Sequence, residues 1–261
     1  MFAPVGPAGE LFDTRAHEVE PIADDTTARR FVVEHHYSKT YPAARRRFGL
    51  RGPGGALVGV AVYSVPAREA VLKPIPGGMA EALELGRFVL LDEVPANAES
   101  WFLARTFELL RAEGFAGAVS FSDPHPRSTT DGRVVFAGHL GTIYQSVNAV
   151  YLGRARRHQL LLLPDGRSFN RRALSKIRRR ERGWRYAVEQ LVTAGAPEPG
   201  ASNLDRWLAE ALASVVRRVE HPGCLKYALP FGRACRRALP WSQPYLRLAP
   251  PPCPEVLACC A

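Results

Sequence analysis

The sequence lacks the features of a membrane, secreted or disulfide-bonded protein. It has no apolar run of about 18 residues, so we predict that the chain has no transmembrane helix and no membrane partner. No basic segment precedes an apolar stretch near Met1, so we expect no signal peptide. The five cysteines are an odd number and all lie in the last 38 residues. That distribution argues against a disulfide scaffold and favours a reducing, cytoplasmic location.

Two recurrent signatures of binding sites are also missing. No two cysteines have the Cys-x-x-Cys spacing, and the order His221, Cys224, Cys235 matches no standard zinc site, so we expect no metal site built on cysteine. The loop of residues 92–100 leads into a helix N-terminus and is therefore a natural anion site. It nevertheless contains no glycine-rich cradle for a phosphate group.

What the chain does have is positive charge, and that charge is concentrated in its second part. Hydrophobic residues make up 46% of the sequence, enough for a buried core, and the formal net charge is +10. Residues 1–153 hold 15 Lys/Arg against 17 Asp/Glu, whereas residues 154–261 hold 20 against 8, which gives nets of −2 and +12. This asymmetry predicts a polyanion partner for the second part. The alternative is a solvated basic surface in an arginine-rich protein.

The order of predicted elements indicates the α/β (α+β) class with a mixed sheet. A strand over 82–91, a helix over 98–113 and a strand over 117–122 follow one another closely, which predicts a βαβ crossover and a parallel pair of strands. Glycines at 52–55 predict an antiparallel hairpin before them. The other predicted elements are a helix over 26–36, hairpin strands over 48–50 and 56–65, a short helix over 142–148 and a strand over 149–153.

Composition divides the chain into an arm, a domain, an extension and a tail. The extension contains two predicted helices, one over 169–183 that is dense in arginine and one over 202–220 with a single apolar face. We therefore expect the extension to be basic, mainly helical and responsible for binding the polyanion. The four segments are residues 1–25, 26–153, 154–243 and 244–261.

Polar residues stand at the ends of the predicted elements, where ligands commonly bind. His36 and Tyr37 end the first helix, and Asp123 follows a strand at the carboxyl edge of the parallel pair. His139 and Tyr144 flank a later turn. Together these five offer nitrogen and oxygen ligands of the kind that suits Fe(II) or Zn. The alternatives are a surface pair for His36 and Tyr37 and an Asx turn for Asp123.

Arg87 interrupts an otherwise apolar strand. A charge in that position costs free energy unless it is paired or faces a cleft. The sequence therefore leaves two interpretations of Arg87, a clamp for a phosphate or carboxylate and a buried ion pair.

Five motifs occur in an order that resembles the Mom-type DNA modification proteins of Mu-like phages. The resemblance is dense over about residues 30–155 and continues loosely to about residue 231. The fifth motif contains the rare run Gly-His-Leu-Gly-Thr-Ile-Tyr-Gln. The motifs are His35–Ser38, Leu85–Leu90, Asn97–Leu103, Ser120–Pro124 and Gly138–Asn148.

The resemblance implies both a fold and an activity. That family is similar to the GNAT acyltransferases, in which the strands over 82–91 and 117–122 would be the two splayed central parallel strands. The implied activity is that of an enzyme, a transferase that converts adenine N6 in duplex DNA to a carbamoylmethyl (acetamido) derivative. This modification shields phage DNA from host restriction.

The resemblance also implies roles for individual residues and for cofactors. Tyr144 falls in the short helix where many acetyltransferases keep a tyrosine general acid. Iron(II) is the implied metal. The implied residues are Tyr37, Asp123 and Tyr144 for catalysis, Arg87 and Ser100 for binding the donor, and His36, Tyr37, Asp123 and Tyr144 for the metal.

The chain departs from the family pattern in two places. The segment from Asp123 to His139 is longer than in the family. The glycine-rich pyrophosphate loop is missing, so the implied donor is either acetyl-CoA or an aminoacyl-tRNA such as glycyl-tRNA, which makes coenzyme A and tRNA alternative partners.

The resemblance makes double-stranded DNA the polyanion partner, held by arginines on both rims of the cleft. Two other classes of function remain open: a GNAT N-acyltransferase acting on a small amine or a protein, and a non-catalytic DNA-binding protein. The arginines expected to bind DNA are Arg45, Arg46 and Arg47 on one rim and Arg178, Arg179, Arg180 and Arg182 on the other.

Overall fold

The computed structural model describes residues 12–95, 97–200, 203–239 and 242–246. Residues 1–11 of the predicted N-terminal arm and most of the predicted tail, with Cys253, Cys259 and Cys260, lie outside the described residues. Within the described ranges, no helix is both long enough and apolar enough to cross a membrane.

The described chain contains eleven strands and eight α-helices. The strands are β1 Glu18–Pro21, β2 Ala44–Arg51, β3 Leu57–Ser64, β4 Ala82–Leu90, β5 Gly117–Ser122, β6 Arg127–Ser128, β7 Val134–Phe136, β8 Val150–Arg154, β9 His158–Leu162, β10 Arg217–His221 and β11 Leu225–Pro230. The helices are α1 Asp25–His35, α2 Gly78–Glu81, α3 Ala98–Ala112, α4 Thr142–Ser146, α5 Arg171–Arg179, α6 Arg185–Thr193, α7 Leu204–Val215 and α8 Arg233–Ala238.

Seven strands form one mixed sheet in the order β1-β2-β3-β4-β5-β11-β8. The pair β4 and β5 is parallel, and every other pair of neighbours is antiparallel. Helix α3 connects the parallel pair, as the βαβ pattern predicted. The predicted α/β class, with a mixed sheet and one central crossover, is therefore confirmed.

The parallel pair separates toward its carboxyl end. Hydrogen-bonded register between β4 and β5 stops at Leu85 and Ser120, although β4 continues to Leu90 and β5 to Ser122. The residues that follow this point are therefore free of strand pairing between β4 and β5. This end of the sheet is where Arg87 and Asp123 lie.

Alternate residues of β3 contact cores on the two faces of the sheet. Ala61 and Tyr63 belong to the core that α3 covers, and the Tyr63 hydroxyl lies 2.6 Å from Thr106 Oγ1 of that helix. Val60 and Val62 point to the other face, where they pack with α1. Both faces of the sheet are therefore covered by a helix.

A second, smaller core lies beyond β8. Strands β9 and β10 pair antiparallel, and α5, α6 and α7 pack with them around Ile177, Leu191 and Trp207. The arginine-rich helix predicted over 169–183 is shorter than expected, because Asn170 caps its start and Arg180 ends it with a positive φ of 51°. Helices α5, α6 and α7 thus form most of this second core, together with the pair of β9 and β10.

The helix predicted over 202–220 ends at Val215, and Arg217–His221 is strand β10. Its sequence fits a helix locally, but Arg217 pairs with Leu162 of β9 and so completes a two-stranded sheet. The spacing of apolar residues within the segment cannot predict its pairing with a strand elsewhere in the chain.

The main sheet is not confined to residues 26–153. Strand β11 comes from the predicted extension and lies between β5 and β8, and β1 comes from the predicted arm and pairs with β2. Four of the six residues of β11 are buried, because it lies inside the sheet. The return of the chain after α7 therefore brings residues 221–225 to the end of β5.

Candidate functional site

Asp123 is the centre of a hydrogen-bonded cluster at the carboxyl end of β5. Its side chain is only 8% exposed. Oδ1 accepts from His221 Nε2 at 2.8 Å and from the His125 backbone N–H at 2.9 Å, and Oδ2 accepts from Arg127. Burial by itself raises the pKa of Asp123, but these donors outweigh it and hold that pKa below its ordinary value. Asp123 is therefore an ionised carboxylate at neutral pH.

His221 fixes the position of the Asp123 carboxylate. It ends β10 opposite His158 of β9 and is 1% exposed. Its Nδ1 accepts from the Gly223 backbone N–H at 3.0 Å, so we assign the ring proton to Nε2, which donates it to Asp123. The rings of His125 and His158 pack against His221 at 5.4 and 4.6 Å. The imidazole is thereby held in one orientation and one tautomer.

The sequence did not identify His221 as a site residue. It lies 98 positions from Asp123 and was taken only as the end of a helix. The one signal present was the compact segment of His221, Pro222, Gly223 and Cys224, whose turn carries both the imidazole and the N–H that orients it.

Arg127 links Asp123 to a pair of aromatic rings. Its guanidinium binds Asp123 Oδ2 and lies 5.0 Å from the Phe136 ring and 5.9 Å from the Tyr37 ring. The Nε atom is buried and has no hydrogen-bond partner among the described residues. Leaving a buried donor unpaired costs about 1–3 kcal/mol, so this N–H is available for a bound acceptor.

His36 and Tyr37 lie beside this cluster, as the sequence predicted. The two rings are 4.2 Å apart, and Tyr37 stacks on Phe136 at 4.3 Å. His36 Nδ1 accepts from the Ser38 backbone N–H at 3.0 Å. Burial, together with the nearby charge of Arg87, lowers the pKa of His36 to about 3, so the imidazole is neutral at pH 7. Burial also raises the pKa of Tyr37, whose hydroxyl stays protonated.

Arg87 is held by neutral groups of the loop after α1. Its Nε donates to the Thr40 carbonyl oxygen at 2.9 Å, and the guanidinium also donates to Thr40 Oγ1. Within the described ranges no carboxylate lies within ion-pair distance of Arg87, so the buried ion pair considered as an alternative is not formed. A half-buried cation without a carboxylate partner suits the binding of an anion.

Tyr144 is the middle residue of the short helix α4 and lies near Tyr37 and Arg87. It is 7% exposed, and its ring is 5.4 Å from that of Tyr227. Burial raises the pKa of Tyr144 to about 12, with further effects from Tyr37 and Arg87. The phenol is therefore protonated at neutral pH and can donate a proton.

Ser100 lies apart from this cluster. Its hydroxyl donates to the Asn97 carbonyl oxygen at 3.1 Å, at the start of α3. It lines a cavity of about 550 Å³ between α3 and the end of α4, together with Trp101, Phe107 and Asn148. Among the described residues, the lining includes neither lysine nor arginine.

The ligand-type atoms of the cluster do not form an open metal site. In the described chain, the one set of three His, Cys or Asp side chains with ligand atoms within 4.8 Å of one another is Asp123, His221 and Cys224, not the set taken from the resemblance. Arg127 and His221 already bind the Asp123 oxygens, and both nitrogens of His221 are engaged. A metal-bound imidazole needs its other nitrogen to donate, whereas His36 Nδ1 accepts. This arrangement does not fit iron(II), and no step below is assigned to a metal.

The three arginines of β2 are bound to the protein rather than free at a rim. Arg45 donates to the Met79 carbonyl oxygen at 2.6 Å, Arg46 pairs with Glu113, and Arg47 pairs with Asp25 at 2.9 Å. Their guanidinium groups stabilise the sheet edge through these contacts, so we do not include them in the proposed DNA interface.

The arginines at the end of α5 are arranged differently. Arg178, Arg179, Arg180 and Arg182 are exposed. No ion pair involves any of the four in the part of the chain that the structure describes. Together they form a basic surface on the second core.

Comparisons with known proteins give a family and a distant structural similarity. No curated protein matches the chain. One solved structure that it resembles is a tandem GNAT protein from the clavulanic acid biosynthesis pathway, solved without AcCoA; the match is 12% identical, covers 83% of this chain and 99% of that one, and has a TM-score of 0.40. The family model of the Mom proteins matches residues 17–197, more than half of the chain. The chain belongs to the Mom protein family.

Proposed function

We propose that this protein is a transferase that converts adenine N6 in duplex DNA to a carbamoylmethyl derivative and so protects phage DNA from restriction. Family membership supports modification of DNA. The observation that carries the proposal is the cluster around Asp123 at the separated ends of β4 and β5, next to the Tyr37–Phe136 ring pair.

The cluster has a group for each requirement of a bond to an amine. Bond formation removes a proton from N6. Asp123 is ionised at neutral pH, and its Oδ2, which accepts only from Arg127 among the described residues, has a lone pair left for that proton. Attack of N6 on a glycyl-tRNA ester forms the bond from N6 to the glycyl carbonyl carbon and breaks the ester bond, and Tyr144, whose pKa is raised to about 12, can protonate the departing tRNA hydroxyl. The glycyl group so attached has the same atoms as the carbamoylmethyl group, and its rearrangement to that group is a separate step to which we assign no residue. Arg127 and Arg87 supply positive charge where negative charge develops in the transition state.

We propose that the adenine and the donor bind on different sides of Tyr144. The Tyr37–Phe136 rings are suited to stack on adenine, since N6 is reachable only when the base leaves the duplex. The cavity that Ser100 lines is suited to the acyl or glycyl end of the donor. Its described lining holds neither lysine nor arginine, so the N-terminus of α3 is the anion-binding group that it offers to the pyrophosphate of coenzyme A or to the terminal phosphate of an aminoacyl-tRNA.

The test is mass spectrometry of nucleosides from the DNA of cells that express the protein. We expect carbamoylmethyladenine with the wild type and with the control Asp92→Asn, a substitution of an exposed carboxylate. We expect none with Asp123→Asn, which keeps the shape of the side chain but removes the acceptor charge. Because Arg127 then loses its partner, this variant should also lose about 1–3 kcal/mol of stability.

Other results of the same measurement point to the other classes of function. Unmodified DNA together with an acylated small amine or protein would identify an N-acyltransferase. Unmodified DNA that the protein binds without any transfer activity would identify a DNA-binding protein.

A further inference from the structure

The segment between Asp123 and His139 forms a hairpin that starts and ends at the candidate site. Strands β6 and β7 pair antiparallel, with Arg127 opposite Phe136. The His139 backbone N–H donates to the Asp123 carbonyl oxygen at 2.8 Å, which closes the base of the hairpin. A displacement of the hairpin is therefore also a displacement of the residues that surround Asp123.

The outer strand of this hairpin is apolar and exposed. Val134 is 61% exposed, the largest value among the large hydrophobic side chains of the described residues, and Val135 is 39% exposed. Phe136 follows them and stacks on Tyr37, which is itself 41% exposed. Val134, Val135 and Phe136 thus form an apolar strip that runs along the hairpin to the entrance of the site. Exposed apolar side chains do not stabilise a core, so a contiguous strip of them indicates a contact surface.

The hairpin is braced by the second core. The Thr130 backbone N–H donates to the Pro164 carbonyl oxygen at 2.9 Å, and Arg217 donates to the Ser128 carbonyl oxygen at 3.1 Å. Gly166 packs so closely that an added Cβ would lie 2.5 Å from Val135 Cγ2. Val135 is therefore anchored, and Val134 is the side chain that projects.

One exposed arginine lies directly beside Val134, with the exposed carboxylate of Asp131 two residues before it in the turn. Arg133 precedes Val134 and is exposed, and within the described ranges no carboxylate pairs with it. An exposed arginine next to a projecting valine can contact a phosphate while the valine reaches a base step.

We propose that this hairpin is the wedge that extrudes the target adenine, an inference that rests on the proposed function. Val134 enters the duplex and fills the space that the adenine leaves. The extruded base packs against the exposed part of Tyr37, whose ring lies between those of His36 and Phe136. Arg127, whose Nε has no partner in the described chain, lies over both rings and is placed to donate to a ring nitrogen of the base.

The wedge predicts a defect that depends on base pairing. Val134→Ser should lower the modification rate of a paired adenine about tenfold, because the apolar filler is lost. The same variant should modify an adenine opposite an abasic site, or in a single strand, within about twofold of the wild type, since little extrusion is needed there. Val65→Ser is the matched control, a valine of 44% exposure outside the hairpin, and should match the wild type on every substrate.

A second measurement does not depend on chemistry. A duplex with 2-aminopurine in place of the modified adenine should gain fluorescence when the wild type or Val65→Ser binds, and gain much less with Val134→Ser. Equal loss of activity on paired and unpaired adenines, or an unchanged fluorescence gain, would overturn the wedge and leave the proposed function standing. If the wild type modifies no adenine in any DNA, the proposed function fails and the wedge fails with it.

Discussion

At the scale of single residues, the position of the Asp123 carboxylate depends on His221 more than on any neighbour in sequence. His221 is buried, its Nδ1 is engaged by Gly223, and its Nε2 donates to Asp123. This donor is one of the causes of the lowered pKa of Asp123. A carboxyl whose folded pKa is lowered contributes stability above its unfolded pKa, and that stability is lost as the pH falls through the folded pKa.

We therefore expect His221→Ala to act on both stability and pH dependence. Loss of a buried hydrogen bond to a charged group should cost about 1–3 kcal/mol. The pKa of Asp123 should rise, so acid unfolding and the acid limb of the activity profile should both move to higher pH. Thermal melts and pH–rate profiles between about pH 3 and about pH 8, a range that spans the ordinary pKa of a carboxyl group, measure these changes.

The matched control is His158→Ala. The His158 ring packs on His221 at 4.6 Å but makes no hydrogen bond to Asp123. His158→Ala should lower the free energy of unfolding, because packing is lost, and should leave the acid limb of the pH–rate profile unchanged. Equal shifts of the acid limb in both variants would contradict the role of the hydrogen bond.

The residues of the site were predictable in part. His36, Tyr37 and Asp123 were candidates because each lies at the end of an element, and Tyr144 was one because it follows a turn; local pattern reveals both features. His221 and Arg127 were not, because the first reaches Asp123 through a pairing of distant strands and the second lies in a hairpin without strong periodicity. The predicted metal set shows the same limit, since the tautomer of His36 depends on a turn N–H that residue types do not reveal.

At the scale of elements, the turn before α4 determines where Tyr144 lies. Gly141 has a φ of 74°, and an added Cβ would lie 2.9 Å from ring atoms of both Tyr144 and Tyr227. A glycine in this position therefore meets two requirements, a left-handed backbone and the close approach of two rings.

Gly141→Ala should for this reason do more than strain the backbone. The left-handed conformation alone costs about 1–2 kcal/mol for a residue with a Cβ. Gly54→Ala is the control for that cost, because Gly54 has a φ of 73° and nothing within 4 Å of an added Cβ. We expect Gly141→Ala to exceed the control in thermal destabilisation and to lose activity as Tyr144 is displaced. Equal destabilisation with full activity would show that the rings adapt.

Prediction of the elements succeeded where pairing is local. The crossover of β4, α3 and β5 follows from adjacent segments, and its parallel register is confirmed. Strand β11 was missed because it enters the sheet between β5 and β8 from far along the chain. For the same reason Arg217–His221 was predicted as helix, since only its partner Leu162 and the rest of β9 make it a strand.

At the scale of the whole molecule, the charge asymmetry has a structural counterpart. The sheet carries the reactive cluster, and the second core carries the exposed arginines at the end of α5. The arginines of β2 belong to the first of these and are bound to protein groups. Long-range attraction of DNA should therefore come from the second core, while recognition of the base comes from the sheet edge.

This division predicts how salt affects the binding of DNA. Duplex DNA releases about 0.9 counterions per phosphate that a protein neutralises, so log affinity falls linearly with log salt. Replacing Arg178, Arg179 and Arg180 together by Gln should weaken binding to any sequence about equally and flatten that slope by up to roughly three units. The rate of modification of DNA that is already bound should change little, because these side chains contact phosphates rather than the extruded adenine.

The control for this variant is Arg46→Gln on β2. Arg46 pairs with Glu113 at the protein surface, an interaction worth about 0–1 kcal/mol, and it should not contribute to the slope. Titrations of a labelled duplex at several salt concentrations give the three slopes. A slope that is unchanged in the triple variant would show that the end of α5 is a solvated basic face, whereas a slope flattened by Arg46→Gln would return the edge of β2 to the DNA interface.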